Sequence, residues 1–283
     1  MSDSIQLCAS QLQEISLPVN RRDFVDRANL SDLLRLMRAD EALTPLSDAQ
    51  PVALRQVRAG AVLFHEGAAA DVLNFVRVGM FKTFTTAEDG YEQVLGFAGR
   101  GEVLGFDAIG SARHPTAAVA LEDSSVYTMR MPEVFSLCQR VPAFDRALHL
   151  AASCQLARRG ELADVMAAVA AEVRLARFLV HLADHMRALG QSPNRFVLRM
   201  TRRDIASHLG VAHETVSRSF TALAQWGYLR VSIREVDILD MDGLKAFSRS
   251  TRGVIEGAPV HAHGVARSLP HRASSARPAA LAA

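Results

Sequence analysis

Residues 201–227, TRRDIASHLGVAHETVSRSFTALAQWG, constrain this chain more than any other stretch: two helical periods flank one sharp break, the outline of a helix-turn-helix. Thr201 and Asp204 open the first period as a capping box does, and Ile205, Ala206 and Leu209 supply its inner face. Gly210 ends it, because glycine enters the left-handed conformation that an abrupt helix exit needs. In the second period Val216, Phe220 and Leu223 form the buried stripe, while Glu214, Ser217 and Arg218 recur on another face near the helix start.

That second face carries side chains suited to a major groove. Arginine is bidentate to guanine, glutamate accepts from cytosine N4, and serine serves either way. The early residues of the second helix of such a motif meet base edges, so position and chemistry agree. The plainer alternative is a solvated face on which Glu214 and Arg218, four apart, form a routine ion pair. The surroundings favour the groove. Alternating runs at 228–232 and 236–239 predict a hairpin with Arg234 at its tip near phosphates, and the run 196–200 predicts a strand before the helices. Strand, two helices and hairpin make a winged helix-turn-helix.

Charge follows the same division. Residues 195–252 hold ten Lys and Arg against six Asp and Glu, whereas residues 1–194 hold nineteen against twenty-three, so the overall +2 hides a basic C-terminal domain behind a mildly acidic one. Charges interrupt every apolar run before it could span a bilayer, and the N-terminus lacks the basic start and apolar stretch of an export signal, which predicts a cytoplasmic protein away from membranes. Cys8, Cys138 and Cys154 are too few and too scattered for a disulfide framework or a zinc knuckle. There is no metal-spaced His/Glu cluster, phosphate-cradling glycine loop or nucleophile elbow, so no enzyme is expected.

Upstream, residues 1–45 read as an extension with a helical pattern at 30–37. Residues 46–140 hold short β-rich runs at 61–64, 73–78, 82–85, 93–97, 119–121 and 125–129, punctuated by glycines, which predict an antiparallel roll. Glu88, Asp89 and Gly90 predict a hairpin turn. Residues 141–170 form a long helix in which Phe144, Leu148, Ala151, Gln155, Arg158, Leu162, Val165 and Val169 follow a heptad-like spacing. We expect that seam to pair with its copy in a two-fold dimer, the alternative being packing against the roll. A further helix at 171–189 leads into the winged domain, which ends near residue 252, and residues 253–283 read as a disordered basic tail. The fold class expected is α+β: roll, long dimerisation helix and winged helix-turn-helix.

The glycine-punctuated roll, the long helix and Glu214-Thr215-Val216-Ser217-Arg218 together resemble the Crp/Fnr superfamily of bacterial transcription regulators over roughly residues 30–252. Residues 105–111 with His114-Pro115 are most similar to its oxygen-responsive branch. The resemblance implies a homodimer that reads a TTGAT-type palindrome on double-stranded DNA and contacts RNA polymerase from the roll. The implied DNA-contacting set is Thr201, Arg202, His213, Glu214, Thr215, Ser217, Arg218 and Arg234, with Thr215 on phosphate. Ala212 stands where a capping Ser or Thr is usual, a loss of about 1 kcal/mol.

The branch's [4Fe–4S] cluster needs four thiolates, yet Val25, Ala28, Leu34 and Tyr127 stand at the aligned positions. The cyclic-nucleotide branch grips phosphate with adjacent Arg and Ser/Thr, an adjacency that His114-Pro115 breaks after Arg113. Haem would need a ligand such as His65, His114 or His149. The reading preferred is no cofactor, with cyclic AMP or haem as the alternatives.

Overall fold

In the computed structural model, residues 24–39 and 45–250 are described. Residues 1–23 of the expected extension and the expected tail, 253–283, lie outside them. The chain forms β1 (Phe24–Asn29), α1 (Leu30–Leu36), α2 (Pro45–Ala49), β2 (Pro51–Val57), β3 (Val62–Phe64), β4 (Val72–Val78), β5 (Phe81–Thr86), β6 (Glu92–Ala98), β7 (Val103–Leu104), β8 (Ala117–Ala120) and β9 (Ser124–Arg130). Then come α3 (Met131–Arg140), α4 (Pro142–Ala167), α5 (Ala171–Ala188), β10 (Arg195–Val197), α6 (Arg202–Leu209), α7 (His213–Gln225), β11 (Leu229–Ser232), β12 (Glu235–Ile238) and α8 (Met241–Ser248).

The roll is two antiparallel sheets, ordered β1-β2-β9-β4-β7 and β3-β8-β5-β6. Their inner faces enclose Leu63, Val76, Phe81, Ala118 and Val126, all buried. The expected strands are present, and the turn between β5 and β6 places Gly90 at φ 83°. One boundary shifts. β1 pairs with β2 along Phe24 to Asn29, and Leu30, Leu33 and Leu34 of α1 enter the core beneath β4 and β9, so residues 24–39 belong to the roll and are no separate extension. The side chain of Asn29 starts α1 by accepting from the Asp32 amide at 2.9 Å.

Pro142 sits in the first turn of α4, where its missing amide costs nothing and its fixed φ suits the helix. The helix stops at Ala168, whose backbone turns extended at φ −70°, ψ 139°. Arg174 Nε holds the break open by donating to the Ala168 carbonyl at 2.8 Å. Its Nη1 donates to the Leu209 carbonyl at 2.9 Å, so one cation also satisfies the C-terminal end of α6. Arg177, buried, donates to the carbonyls of Ser248 and Ser250 and to Asp164, tying α8 and the end of α4 to α5.

The heptad-like seam needs correction. Phe144 and Val165 are 0% and 2% exposed within a single protomer, and Leu148, Ala151, Gln155 and Leu162 are also partly covered there. Gln155 donates to the Val103 carbonyl of the roll. The first half of the seam therefore faces its own roll, Val165 joins the core of the winged domain, and Val169 lies past the end of the helix, 73% exposed. Periodicity marks a face that is buried; it does not say by what. The outer stripe of α4 is Leu150, Ser153, Leu156, Gly160, Ala163 and Met166, with Leu150 and Leu156 at 67% and 72% exposure.

Candidate nucleic-acid interface

The winged domain is built as its sequence requires. The Thr201 hydroxyl accepts from the Asp204 amide at 3.1 Å, and the Asp204 carboxylate accepts from the Thr201 amide at 2.8 Å, completing the capping box of α6. Gly210 caps the other end at φ 62°, ψ 41°. A Cβ there would meet the Met166 methyl at 2.6 Å, so the turn lies directly against the last turn of α4. Val216, Phe220 and Leu223 anchor α7 to α5 and the wing, each 4% exposed or less. Burying three side chains of this size stabilises the helix placement by about 5–9 kcal/mol before ordering entropy is counted.

The opposite face of α7 is open. His213, Glu214, Ser217, Arg218 and Thr221 are exposed, and Thr215 is half-buried. Ser217 and Thr221 turn their hydroxyls back to the carbonyls of His213 and Ser217, at 3.4 and 3.1 Å. Among the described residues Glu214 and Arg218 have no ion-pair partner, so the plain surface pair that four-residue spacing allows is not formed. Ala212 starts the helix with no side-chain bond, leaving the first amides of α7 facing outward from an uncapped end.

β10, β12 and β11 form the three-stranded wing, and Arg234 stands exposed at its tip. Two of the expected contacts are placed differently from the rest. Thr201 spends its hydroxyl on the cap, and Arg202 is drawn inward: its guanidinium lies 3.4 Å from the Phe220 ring centre and burial lowers its pKa. Exposed cations that the sequence did not single out include Arg203, beside Arg202 on α6, and Arg230 on β11, whereas Arg195 and Arg199 are exposed but paired with Glu235, Asp237 and Glu122.

A residues 173–247 match to the Crp-like helix-turn-helix domain and a residues 54–141 match to the cyclic nucleotide-binding domain cover the winged domain and the roll in turn. The chain is 36% identical over 190 residues to the transcriptional regulatory protein btr of Bordetella pertussis, spanning 67% of this chain and 78% of that one. The Crp/Fnr family claims this chain. To the fumarate and nitrate reduction regulatory protein of Escherichia coli K12 this Crp/Fnr regulator is 33% identical over 200 residues, 71% of it and 80% of that protein. FixK2 from Bradyrhizobium japonicum shares the fold, with a TM-score of 0.61 and 21% identity over 72% of this chain and 98% of that one. A CooA mutant from Carboxydothermus hydrogenoformans does so at a TM-score of 0.59 and 19% identity, over 80% and 97%. It is a DNA-binding transcription regulator, and its relatives are regulators rather than enzymes. Among the described residues no helix is long and apolar enough to cross a membrane.

The ligands known in this fold can be tested against the side chains present. Leu34 and Tyr127 are core residues, 0% and 4% exposed, and among the described residues no group of His, Cys, Asp or Glu is arranged to hold a metal. Cys138 is half-buried on α3, where burial and then Asp145 push its thiol up to about 11. Leu34 and Tyr127, at two of the four aligned cluster positions, supply no thiolate. In the roll, Glu102 is already engaged: one oxygen accepts from the Gly99 amide at 2.7 Å and the other pairs with Arg158 of α4. Arg113 points elsewhere and donates to the Gly67 carbonyl at 2.7 Å, while Thr116 donates to Asp107 at 3.3 Å. Arg113 and Thr116 thus each bond to another group of the roll rather than to a common point. His114 is 2% exposed and stacked on Phe64 at 3.8 Å, and burial lowers its pKa.

The roll and the winged domain meet at β6. The Ser207 hydroxyl of α6 accepts from the Val94 amide at 2.8 Å and donates to the Glu92 carbonyl at 2.7 Å, so one side chain satisfies two backbone groups of an edge strand. Gln93 donates to the Ser207 carbonyl at 2.7 Å, and the His208 ring packs between Phe97 and Phe178 at 5.1 and 5.6 Å. Beside this contact a cleft of about 710 Å3 runs between roll, α4 and α5.

Proposed function

We propose that this regulator works as a cytoplasmic homodimer that reads a TTGAT-like palindrome through α7, contacts RNA polymerase, and does so without an iron–sulfur cluster, cyclic nucleotide or haem. The observation that carries the reading is the state of Glu214 and Arg218: both are exposed and, among the described residues, neither has an ion-pair partner, next to an uncapped helix start. A charged pair left unsatisfied at this position is suited to base edges, and the open amides beside it suit a phosphate.

The dimer surface proposed is the outer stripe of α4 through Leu150, Leu156, Ala163 and Met166. Two leucines this exposed lose most of their water contact when two copies pair. Independence from a ligand draws support from Glu102, Arg158 and Gln155. They join the roll to the long helix with the protein's own side chains. Protein purified in air, with no effector added, should therefore shift a TTGAT-type duplex in a gel. Binding only after an effector is supplied would refute that part.

Selection of bound duplexes from a random pool tests base readout. Arg218→Ala should cost about 1–3 kcal/mol and relax the guanine position, whereas Arg234→Ala should weaken all duplexes alike. Equal weakening of every sequence by Arg218→Ala would remove this side chain from base reading.

A further inference from the structure

The tip of the wing has two features that phosphate contact alone leaves unexplained. β11 ends at Ser232 and β12 begins at Glu235, which makes Ile233 and Arg234 a two-residue hairpin loop. Ile233 has φ +53°, in the left-handed region that such loops normally fill with Gly, Asn or Asp. A β-branched residue is strained there because its Cβ crowds the following carbonyl. The same residue is 91% exposed and joins none of the buried clusters, so its own fold gives it nothing in return. Strain held at an exposed apolar side chain points to a use outside the protomer.

The surroundings say what kind of use. Arg234 follows directly and Arg230 stands exposed on β11. The Arg202 Nη2 donates to the Ile233 carbonyl at 3.5 Å while its guanidinium lies on Phe220 of α7, and the Leu198 amide donates to the Arg234 carbonyl at 2.8 Å. The tip is thus fastened to the helix that carries Glu214 and Arg218. With that helix in a major groove, the wing is held beside the same duplex.

We propose that Ile233 is a DNA-contacting residue of a different kind from those on α7: an apolar wedge entering the minor groove beside each half-site, steadied by Arg230 and Arg234 on the flanking phosphates. Isoleucine is among the side chains that partly unstack a base step in this way, and the gain depends on how easily the step deforms. The wing would then add a preference for flexible TA or CA steps outside the sequence that α7 reads. The inference rests on the DNA reading above and is separable from it.

The test uses full-length dimer and duplexes with one palindrome and either TA or GC flanking steps, with 2-aminopurine at the flank. Wild type should prefer the TA flank by about tenfold and raise the 2-aminopurine fluorescence. Ile233→Gly should lose both effects, keep the guanine preference that depends on Arg218, and melt no lower than wild type because the strain is relieved. Flank preference and fluorescence unchanged in Ile233→Gly, with Arg218→Ala still harmful, overturn the wedge alone. Absence of any duplex binding by wild type overturns the DNA reading with it.

Discussion

The Nζ of Lys82 on β5 lies 3.1 Å from Oδ1 of Asp204 on α6, an ion pair whose side chains are 14% and 10% exposed. Lys82 also reaches Glu92 at 2.6 Å. Burial lowers the Lys82 pKa, but its bonds to Glu92 and Asp204 raise it by more, so the ammonium stays charged. Removing it strands a largely buried carboxylate and one of the ties between roll and winged domain. Lys82→Ala should therefore cost about 2–4 kcal/mol of domain docking. In a thermal melt the winged domain should then unfold ahead of the roll, and protease should cut near residues 92–94 first. Lys82→Arg should restore a single transition. One unchanged transition in Lys82→Ala would show that Ser207 and Gln93 hold the contact without it.

Acid should loosen the same region. Burial holds His208 down to about 4, opposed only by the Val94 backbone, and burial followed by Arg158 does the same to His185. Between pH 6.5 and 4 the unfolded chain takes up protons that these native rings refuse, so stability is fully present above pH 6.5 and falls as pH falls through that window. At pH 5 each ring removes at most about 2 kcal/mol, less where water reaches it. Asp204 adds to the loss only in stronger acid: burial raises its pKa, but Thr201 and Lys82 lower it by more. Melting temperatures measured from pH 7.5 to 5 should decline, and His208→Gln should flatten part of the slope. An unchanged slope would mean that His208 already carries a proton in the native state.

The dimer surface has a direct check. On α4, Leu156 is exposed and Phe144 is buried. Leu156→Glu should yield a folded monomer by light scattering, with the duplex shift lost and the melting temperature of the protomer little changed. Phe144→Ala should instead lower stability by about 3–5 kcal/mol and leave the dimer in place, since it opens a cavity in the roll core. A persisting dimer in Leu156→Glu would move the interface elsewhere.

How much of this was legible in the chain depended on which physical cause set each feature. The winged domain was plain because its determinants are local: the Thr201–Asp204 cap, the left-handed Gly210 and the spacing of Val216, Phe220 and Leu223 all act within a few residues. The roll strands with apolar alternation were plain for the same reason. β1 was not, because Asp26 and Arg27 mask its period, and β2 was not, because it opens on Pro51 and carries Arg55 and Gln56 among its apolar residues. The seam of α4 was visible but its partners were not, since Phe144 and Val165 look alike whether they face a roll, a winged domain or a second helix. Arg202 read as a DNA contact and Ser207 gave no signal; stacking on Phe220 and the bonds to β6 exist only in three dimensions.

The contact between Gly210 and Met166 has a mechanical meaning for any paired arrangement. The corner joining the two reading helices rests on the terminus of the rod along which the copies would meet, with less than the width of a methyl group to spare. The gap between the two heads is then measured out by a stiff strut rather than a slack tether, and half-sites moved apart by a base pair would be met by heads that cannot follow.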